Sequence, residues 1–516
     1  MSVFSPICER TILLDLFPLD PDTEETVTIR VASRDWSTEP EDDPPNALYR
    51  GLLTSLTFEK NLVAPGRIRG RSIGARGAAT VGNPSRDDNL PGRKLDDWRR
   101  LRWQNRRYVV RAVEVVGGVA SWSSAVVLIT GRIAAMSEDD GRFVLALRDR
   151  QQDFERAVQL ASYQGSGGFE GGDALEGKLK PLGWGHADEV PGVMSDAVDL
   201  WVDLHTGPVE DIVAGKDRGV LLTPSVSNPP PSGDYYEDHA NGRVRLGGSP
   251  NGEITFELKG DKPGGVYVDT HAGVMRRIAG TKGGLADPAD FVTADFTALD
   301  TAVPAEIGLW IGTERRMVAE LMDYLAGSCG GWWIFDETER LRVGRFAPPD
   351  ATAETADLVL TAYDVVRGSL KRKPVEAPPH KIVGRYRRYH LAQGRNDLGG
   401  SLTDEEKQDL GEEWRSVEWS DPDVLAEWPE GDPLEVDLAV REKTAAQALV
   451  DGMGALIGRA TDPLTLECGW QAWAVALNGQ VWLEHAEEGL ADGAAFRLIG
   501  VSGDLLSESV QIELWR

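Results

Sequence analysis

The sequence has little of what most enzymes and membrane proteins need. Its 516 residues include only three cysteines and seven histidines, and no long apolar run. Cys8, Cys329 and Cys468 are too far apart to read as a CxxC zinc site or a disulfide framework, so synthesis in a reducing cytosol is the simpler expectation. The longest apolar stretches, such as residues 125–129 (AVVLI), are about five residues against the roughly twenty that a spanning helix requires. No membrane span is expected. The opening MSVFSPICERTILLDLF puts Glu9, Arg10 and Asp15 where a signal peptide needs its apolar core, which argues against export by that route. Basic charge is also short: 55 Lys and Arg stand against 83 Asp and Glu, a formal charge of −28. Phosphate binding draws on clustered cations and counterion release, so such a chain is a poor general binder of nucleic acid.

Catalytic motifs are missing as well. None of the histidines (186, 205, 239, 271, 380, 390 and 485) forms an HExxH pair, no GxSxG elbow presents a serine, and no GxxxxGK[ST] loop cradles phosphate. The glycines at 66, 70, 74 and 77 space loosely like a nucleotide loop, but they stand among arginines and lack the strand-to-helix context. Two carboxylates suffice for a glycosidase, and among 83 acids any choice of pair is arbitrary. The expectation is therefore a non-enzyme with no catalytic, cofactor-binding or metal-binding residue and no cofactor. The competing reading is a carbohydrate-active multidomain β protein, in which some of the sixteen tryptophans line a sugar cleft. Trp332 and Trp333 alternate faces in a strand and are more cheaply explained as core or interface.

What is present is an ordinary globular composition, 41% hydrophobic and 27% charged, long enough for about three or four domains. Glycine and proline make about a sixth of the chain, which favours short elements joined by many turns. Alternation predicts strands at 27–31, 52–58, 107–116, 124–133 and 142–147. A helix is expected from about 149, on Phe154, Val158 and Ala161, followed by an ordered glycine-rich loop to about 187. Residues 188–300 read as β-rich, with a hairpin of 243–246 and 253–258 across Asn251-Gly252. The clearest helix runs from an N-cap at Thr313 to about 326 and leads into a hairpin, 332–335 and 341–343. A strand at 381–390, a helix at 444–457 and strands near 464–475, 481–484, 496–501 and 510–515 close the chain. Residues 404–437 hold fourteen acids to two bases, a density that favours a solvated, mobile excursion. Residues 67–111 are the opposite, thirteen bases to four acids. In a chain this acidic, Arg99, Arg100, Arg102, Arg106 and Arg107 are candidate contacts to an acidic neighbouring subunit.

The order of certain segments points further. The TGRI of 130–133, the LRDR of 147–150, the GKLKPLGWG of 177–185, the GGWW of 330–333 with LRVGR at 341–345, and the closing LIGV (498–501) and VQIELWR (510–516) follow one another. Together they resemble the tail-tip, or baseplate, hub proteins of siphophages and prophages, over about two thirds of the chain. The resemblance implies a mainly β, multidomain fold with α+β insertions, in which two tail-tube-like β-barrel domains per chain let a trimer imitate a sixfold tube. The expected division is 1–187 for the first barrel with its loop, 188–303 for an inserted β-rich domain, 304–368 for a small helix–hairpin domain, and 369–516 for the second barrel with the acidic excursion 404–437. It also implies a homotrimeric hub at the tail tip of a virion, assembled in the bacterial host cytoplasm. Its partners would be distal tail and tube proteins, the tape-measure protein and receptor-binding fibres, and genomic DNA would pass without specific binding. Some such hubs hold a cysteine-bound iron–sulfur cluster, for which three isolated cysteines are a poor fit, and some carry a lysozyme domain, for which no segment is left over. A sixfold distal tail ring is the alternative within the same class.

Overall fold

In the computed structural model the described residues are 3–5, 8–62, 70–71, 73–82, 89–90, 93–139 and 141–516. Much of the basic stretch between 67 and 92, Gly66 of the glycine series, and Asp140 between two expected strands lie outside them. The fold is mainly β, in several sheets, with helices inserted between them.

The largest sheet has fourteen strands among the described residues and draws on both ends of the chain. Its path runs Ile29–Ala32, Glu9–Leu16, Arg106–Val116, Val126–Asp139, Arg142–Arg148, Ile73–Val81, Leu53–Asn61, and then crosses to Leu490–Asp504, Ser509–Trp515, Leu464–Gly469 and Lys371–Arg372. The strands form where alternation predicts them, because one face must be apolar: Arg142–Arg148 alternates Phe143, Leu145 and Leu147 inward with half-exposed neighbours. No closed barrel is found among the described residues. The N-terminal strands and the C-terminal strands instead continue one another, since Leu53–Asn61 pairs across to Leu490–Asp504.

Residues 182–261, joined by the strand Gly308–Ile311, build a unit with an apolar core of its own, including Val190, Val202, Leu204, Phe256 and Leu258. It consists of two five-stranded sheets. The expected hairpin is not formed: Arg243–Leu246 pairs with Trp201–Asp203 and Asp234–Asp238, whereas Ile254–Asp261 pairs with Leu182–Val190 and Val209–Asp217 in the other sheet. The Asp217 carboxylate accepts from the Asn251 and Gly252 amides at 2.8 and 3.1 Å, so this Asn-Gly turn carries the chain from one sheet to the next.

Two helices follow that periodicity did not reveal, α1 (His271–Thr281) and α2 (Thr293–Ala302). They pack with α3 (Val318–Ser328) on the hairpin Gly331–Phe335 and Leu341–Arg345. The helix α3 starts four residues later than the Thr313 cap predicts. Residues 316–318 bond to 156–158 instead, and the Glu320 carboxylate accepts from the Met317 amide at 3.0 Å. The helix expected after Asp149 is also absent. Gln151–Phe154 makes one short 3-10 turn, and Phe154 and Val158 reach the core from irregular chain.

The acidic segment is folded rather than a loose excursion. It contains α4 (Asp404–Gly411), Arg415–Ser420, α5 (Pro422–Glu427) and Leu434–Asp437, and both strands pair with Lys381–Tyr386. Counting charge hid the alternation that buries Val417 and Val436 while their acidic neighbours face out. Against this sheet packs α6 (Lys443–Ile457), where expected. Trp419 lies so close to α6 that a Cβ at Gly454 would stand 2.2 Å from its ring. Gly454→Ala, which by helix propensity alone gains about 1 kcal/mol, is expected to destabilise by about 1–3 kcal/mol through overpacking. A lowered thermal midpoint checks this.

Candidate functional site

The site that the fold assembles is a seam rather than a pocket. Where the two ends of the chain meet, Asn61 stands opposite Gly500, Lys60 opposite Val501 and Thr57 opposite Asp504. The Asp504 carboxylate fastens the end of this ladder, accepting from Ser55 Oγ at 2.7 Å and from the Leu56 amide at 3.0 Å. Lys60 is buried, pairs with Glu337 in the hairpin turn, and sits 5.0 Å from the centre of the Trp473 ring. Burial would raise the Glu337 carboxyl, but the Lys60 ammonium outweighs it and holds that group below the usual carboxylate range. The Glu337 carbonyl accepts from the Thr130 amide at 2.7 Å. One ammonium therefore ties the N-terminal strands, the hairpin and the C-terminal turn Trp470–Ala474.

The motif residues surround this joint. A Cβ at Gly131 would stand 2.5 Å from the Arg148 carbonyl oxygen and 2.7 Å from Tyr108 Oη, so TGRI needs its glycine for close strand approach. Arg132 faces Glu339 at 3.3 Å and Arg150 faces Asp290 at 3.3 Å, both reaching towards the hairpin and the helices beneath it. Asp149 is buried, accepts from the Gln151 amide at 3.0 Å, and burial pushes its carboxyl up to about 6. In the glycine-rich loop Lys180 pairs with Glu170 at 2.7 Å. Beyond it Gly185, at φ 61°, lies where a Cβ would be 2.0 Å from the Ile307 carbonyl oxygen. In GGWW, Gly331 lets the Gly344 carbonyl approach, and Trp333 donates to Asp323 Oδ1 at 2.7 Å while stacking on Phe154. Trp332 and Trp333 are core, with no sugar platform between them.

A second polar cluster was not legible. The strand Leu182–Val190 is buried along its whole length yet carries His186, Asp188 and Glu189. Asp188 receives both arms of Arg441 at 2.9 Å and Arg387 at 3.3 Å. His186 lies between Glu257 at 2.7 Å and Glu306 at 3.2 Å, and Lys216 pairs with Glu189. The Arg387 and Arg441 bonds pin the inserted β unit to the chain beside Lys381–Tyr386 and α6, and the others lie within the unit or just before its last strand. The only sequence signal was three polar residues within four positions inside an otherwise apolar-flanked strand.

The five candidate arginines differ in what they contact. Arg99 grips Glu138 with two bonds of 2.8 and 2.7 Å, and Arg100 lies 3.8 Å from Asp22. Arg102 is exposed on a segment that exchanges both backbone bonds with Leu19. Arg106 and Arg107 are successive in a strand and so point to opposite faces. Arg102, Arg106 and Arg107 have no ion-pair partner among the described residues. The histidines and cysteines are placed structurally. His271 is wholly buried against Ser328, which pushes it down to about 3, and burial pushes the Cys329 and Cys468 thiols up to about 12. Among the described residues no three His, Cys, Asp or Glu converge as a metal site requires, and no helix is long and apolar enough to cross a membrane.

The sequence matches no protein-family model and no curated relative. Several solved structures align with the chain. The 43 kDa tail protein of prophage MuSo2 from Shewanella oneidensis does so at TM-score 0.41 and 11% identity, over 98% of each chain. A tail protein from Neisseria meningitidis MC58 gives 0.38 and 11%, over 91% of this chain and 94% of that one. A chain of the native gene transfer agent virion gives 0.41 and 16%, over 70% and 87%. All three carry tail or virion names, and at these scores the likeness carries no argument of its own.

Two outcomes test the joint. Lys60→Met leaves Glu337 without its cation and is expected to cost about 2 kcal/mol, below the roughly 3–5 of a wholly buried pair because Glu337 keeps some solvent; adding Glu337→Gln recovers part of it in the thermal midpoint. Asp149 binds its proton more tightly folded than unfolded, where its ordinary value is near 4. Its contribution to stability is thus fully present below about pH 4 and lost as pH rises through about 6. Between pH 4 and 7 the wild type should lose on the order of 3 kcal/mol relative to Asp149→Asn, read as converging or crossing melting curves.

Proposed function

We propose that the chain is a structural subunit of a phage-type tail, a hub at the tail tip that forms a trimeric ring. In this reading 1–187 and 369–516 are two wall segments, and 188–303 and 304–368 are units inserted between them. The ring joins the tail tube and distal tail proteins above to tape-measure and fibre proteins, and it acts as the conduit through which DNA leaves. The virion tail tip is its place, and the bacterial cytoplasm is where it is assembled.

The observation that carries this reading is the seam. Strands from opposite ends of the chain pair edge to edge, so one polypeptide supplies two successive arcs of a single β wall. Three copies then supply six arcs, which matches a sixfold tube with threefold chemistry. The ordered motif series supports the same reading, because its glycines and charged residues hold this joint together rather than a reaction centre. The charge of −28 per chain has a use in such a ring: a negative bore repels DNA phosphates and keeps the genome moving. Arg102, Arg106 and Arg107 are available for the acidic surface of the next subunit.

Negative-stain electron microscopy of the purified protein, alone and with its tube partner, should give threefold rings with a central bore. A sixfold ring would assign the chain to the distal ring instead, and a monomer under both conditions would overturn the reading. Replacing Arg102, Arg106 and Arg107 together by Glu should weaken ring formation about tenfold, more at low salt than at high.

A further inference from the structure

A cleft of about 750 Å³ opens where α2, the strand Leu341–Arg345, α6 and the turn 476–479 come together. Its floor is apolar, built from Leu299, Phe346, Leu456 and Leu477. Three polar groups around it have no hydrogen-bond partner among the described residues. Trp332 is 3% exposed, and its indole N–H finds no acceptor. The buried Oδ1 of Asn478 finds no donor. Arg345 is half-buried and makes no ion pair or hydrogen bond among the described residues, although Arg342 on the same strand grips Asp295 at 2.7 Å. Leaving buried donors and acceptors unmade is costly, and a guanidinium half out of water more so. A guanidinium beside an apolar floor fits a peptide segment that brings a carboxylate together with apolar side chains.

The chain itself presents such a segment. None of the residues of α5 is buried, and Leu425 is 42% exposed. Trp428, just past its end, is half-exposed. Asp423 and Glu427 stand four apart on one helical face and make no ion pair among the described residues. We propose that α5 of a second copy of this chain docks in this cleft, with Asp423 or Glu427 on Arg345 and with Trp428, just past the helix end, on the apolar floor. The contact is heterologous, since cleft and helix are different surfaces, and such contacts close into a ring when the rotation between copies divides a full turn. It rests on the ring reading above and names one of its subunit contacts.

Charge exchange tests it. In sedimentation of the full chain, Arg345→Glu should weaken self-association about tenfold, as should Asp423→Lys with Glu427→Lys. Combining all three in one chain should restore it to within about threefold of wild type. Because Arg345→Glu can act by misfolding, a second measurement uses Arg345→Cys protein mixed with Glu427→Cys protein. Mild oxidation should give a disulfide-linked species of twice 56.2 kDa, which neither protein gives alone, the native cysteines being buried. Wild-type rings with no such crosslink, or single variants that associate normally, overturn the docking and leave the ring standing. A combined variant no better than its worse parent overturns it as well. Absence of any ring from the wild type overturns both.

Discussion

The lysine buried at the seam is the constraint on which the rest of the architecture turns. An ammonium taken out of water costs several kcal/mol unless a carboxylate and polarizable surroundings replace its hydration. Glu337 and the Trp473 ring do this for Lys60, and they come from parts of the chain far apart in sequence. Such a pair contributes little net stability against a well-packed apolar substitute, but it tolerates no slip. Moving Leu53–Asn61 by one residue against Leu490–Asp504 would turn Lys60 to the other face and bury Glu59 or Asn61 where no counter-charge waits. The pair therefore acts on register: it selects the one alignment in which two ends of a long polypeptide make a continuous wall.

The inserted units are held to that wall by bonds of the same kind. Arg150 with Asp290, Arg132 with Glu339 and Arg342 with Asp295 fasten the helices and hairpin beneath the sheet. Arg441 and Arg387 on Asp188 fasten the β unit to the chain beside Lys381–Tyr386 and α6. Between these charges the backbone approaches itself at glycines where a side chain has no room, as at Gly131, Gly185 and Gly331. An arrangement in which units are both bolted and closely apposed resists hinge motion.

Strands were legible because their alternation is a local property: 27–31, 107–116, 142–147 and 510–515 all fall within a few residues of where the pattern puts them. Partners were not. The Asn251-Gly252 turn looked like a hairpin because its flanks alternate, yet Asp217, thirty-four residues upstream, binds that turn and lets the two flanks join different sheets. α2 stayed hidden because threonine, aspartate and alanine fill most of it, with Phe296 and Leu299 as its buried contacts. The missing helix after Asp149 shows the converse, since an apolar spacing of four and three was satisfied by irregular chain bonded to residues 316–318. Of the joint itself, the motif order could be read and the reason for it could not: that Lys60 meets Glu337 is a fact about folding across 277 positions.

The same logic bears on charge. Arginines at 99, 111, 132, 150, 342, 385, 387 and 441 all face carboxylates of their own chain, so much of the limited basic complement is already used in holding the fold. With 83 acids to 55 bases, a large excess of carboxylate must then face outward. Self-repulsion of that size penalises close approach of two copies except where cations are gathered on the contact surface. Arginines without a partner among the described residues are therefore the positions where, in the proposed ring of acidic copies, another acidic body meets least repulsion.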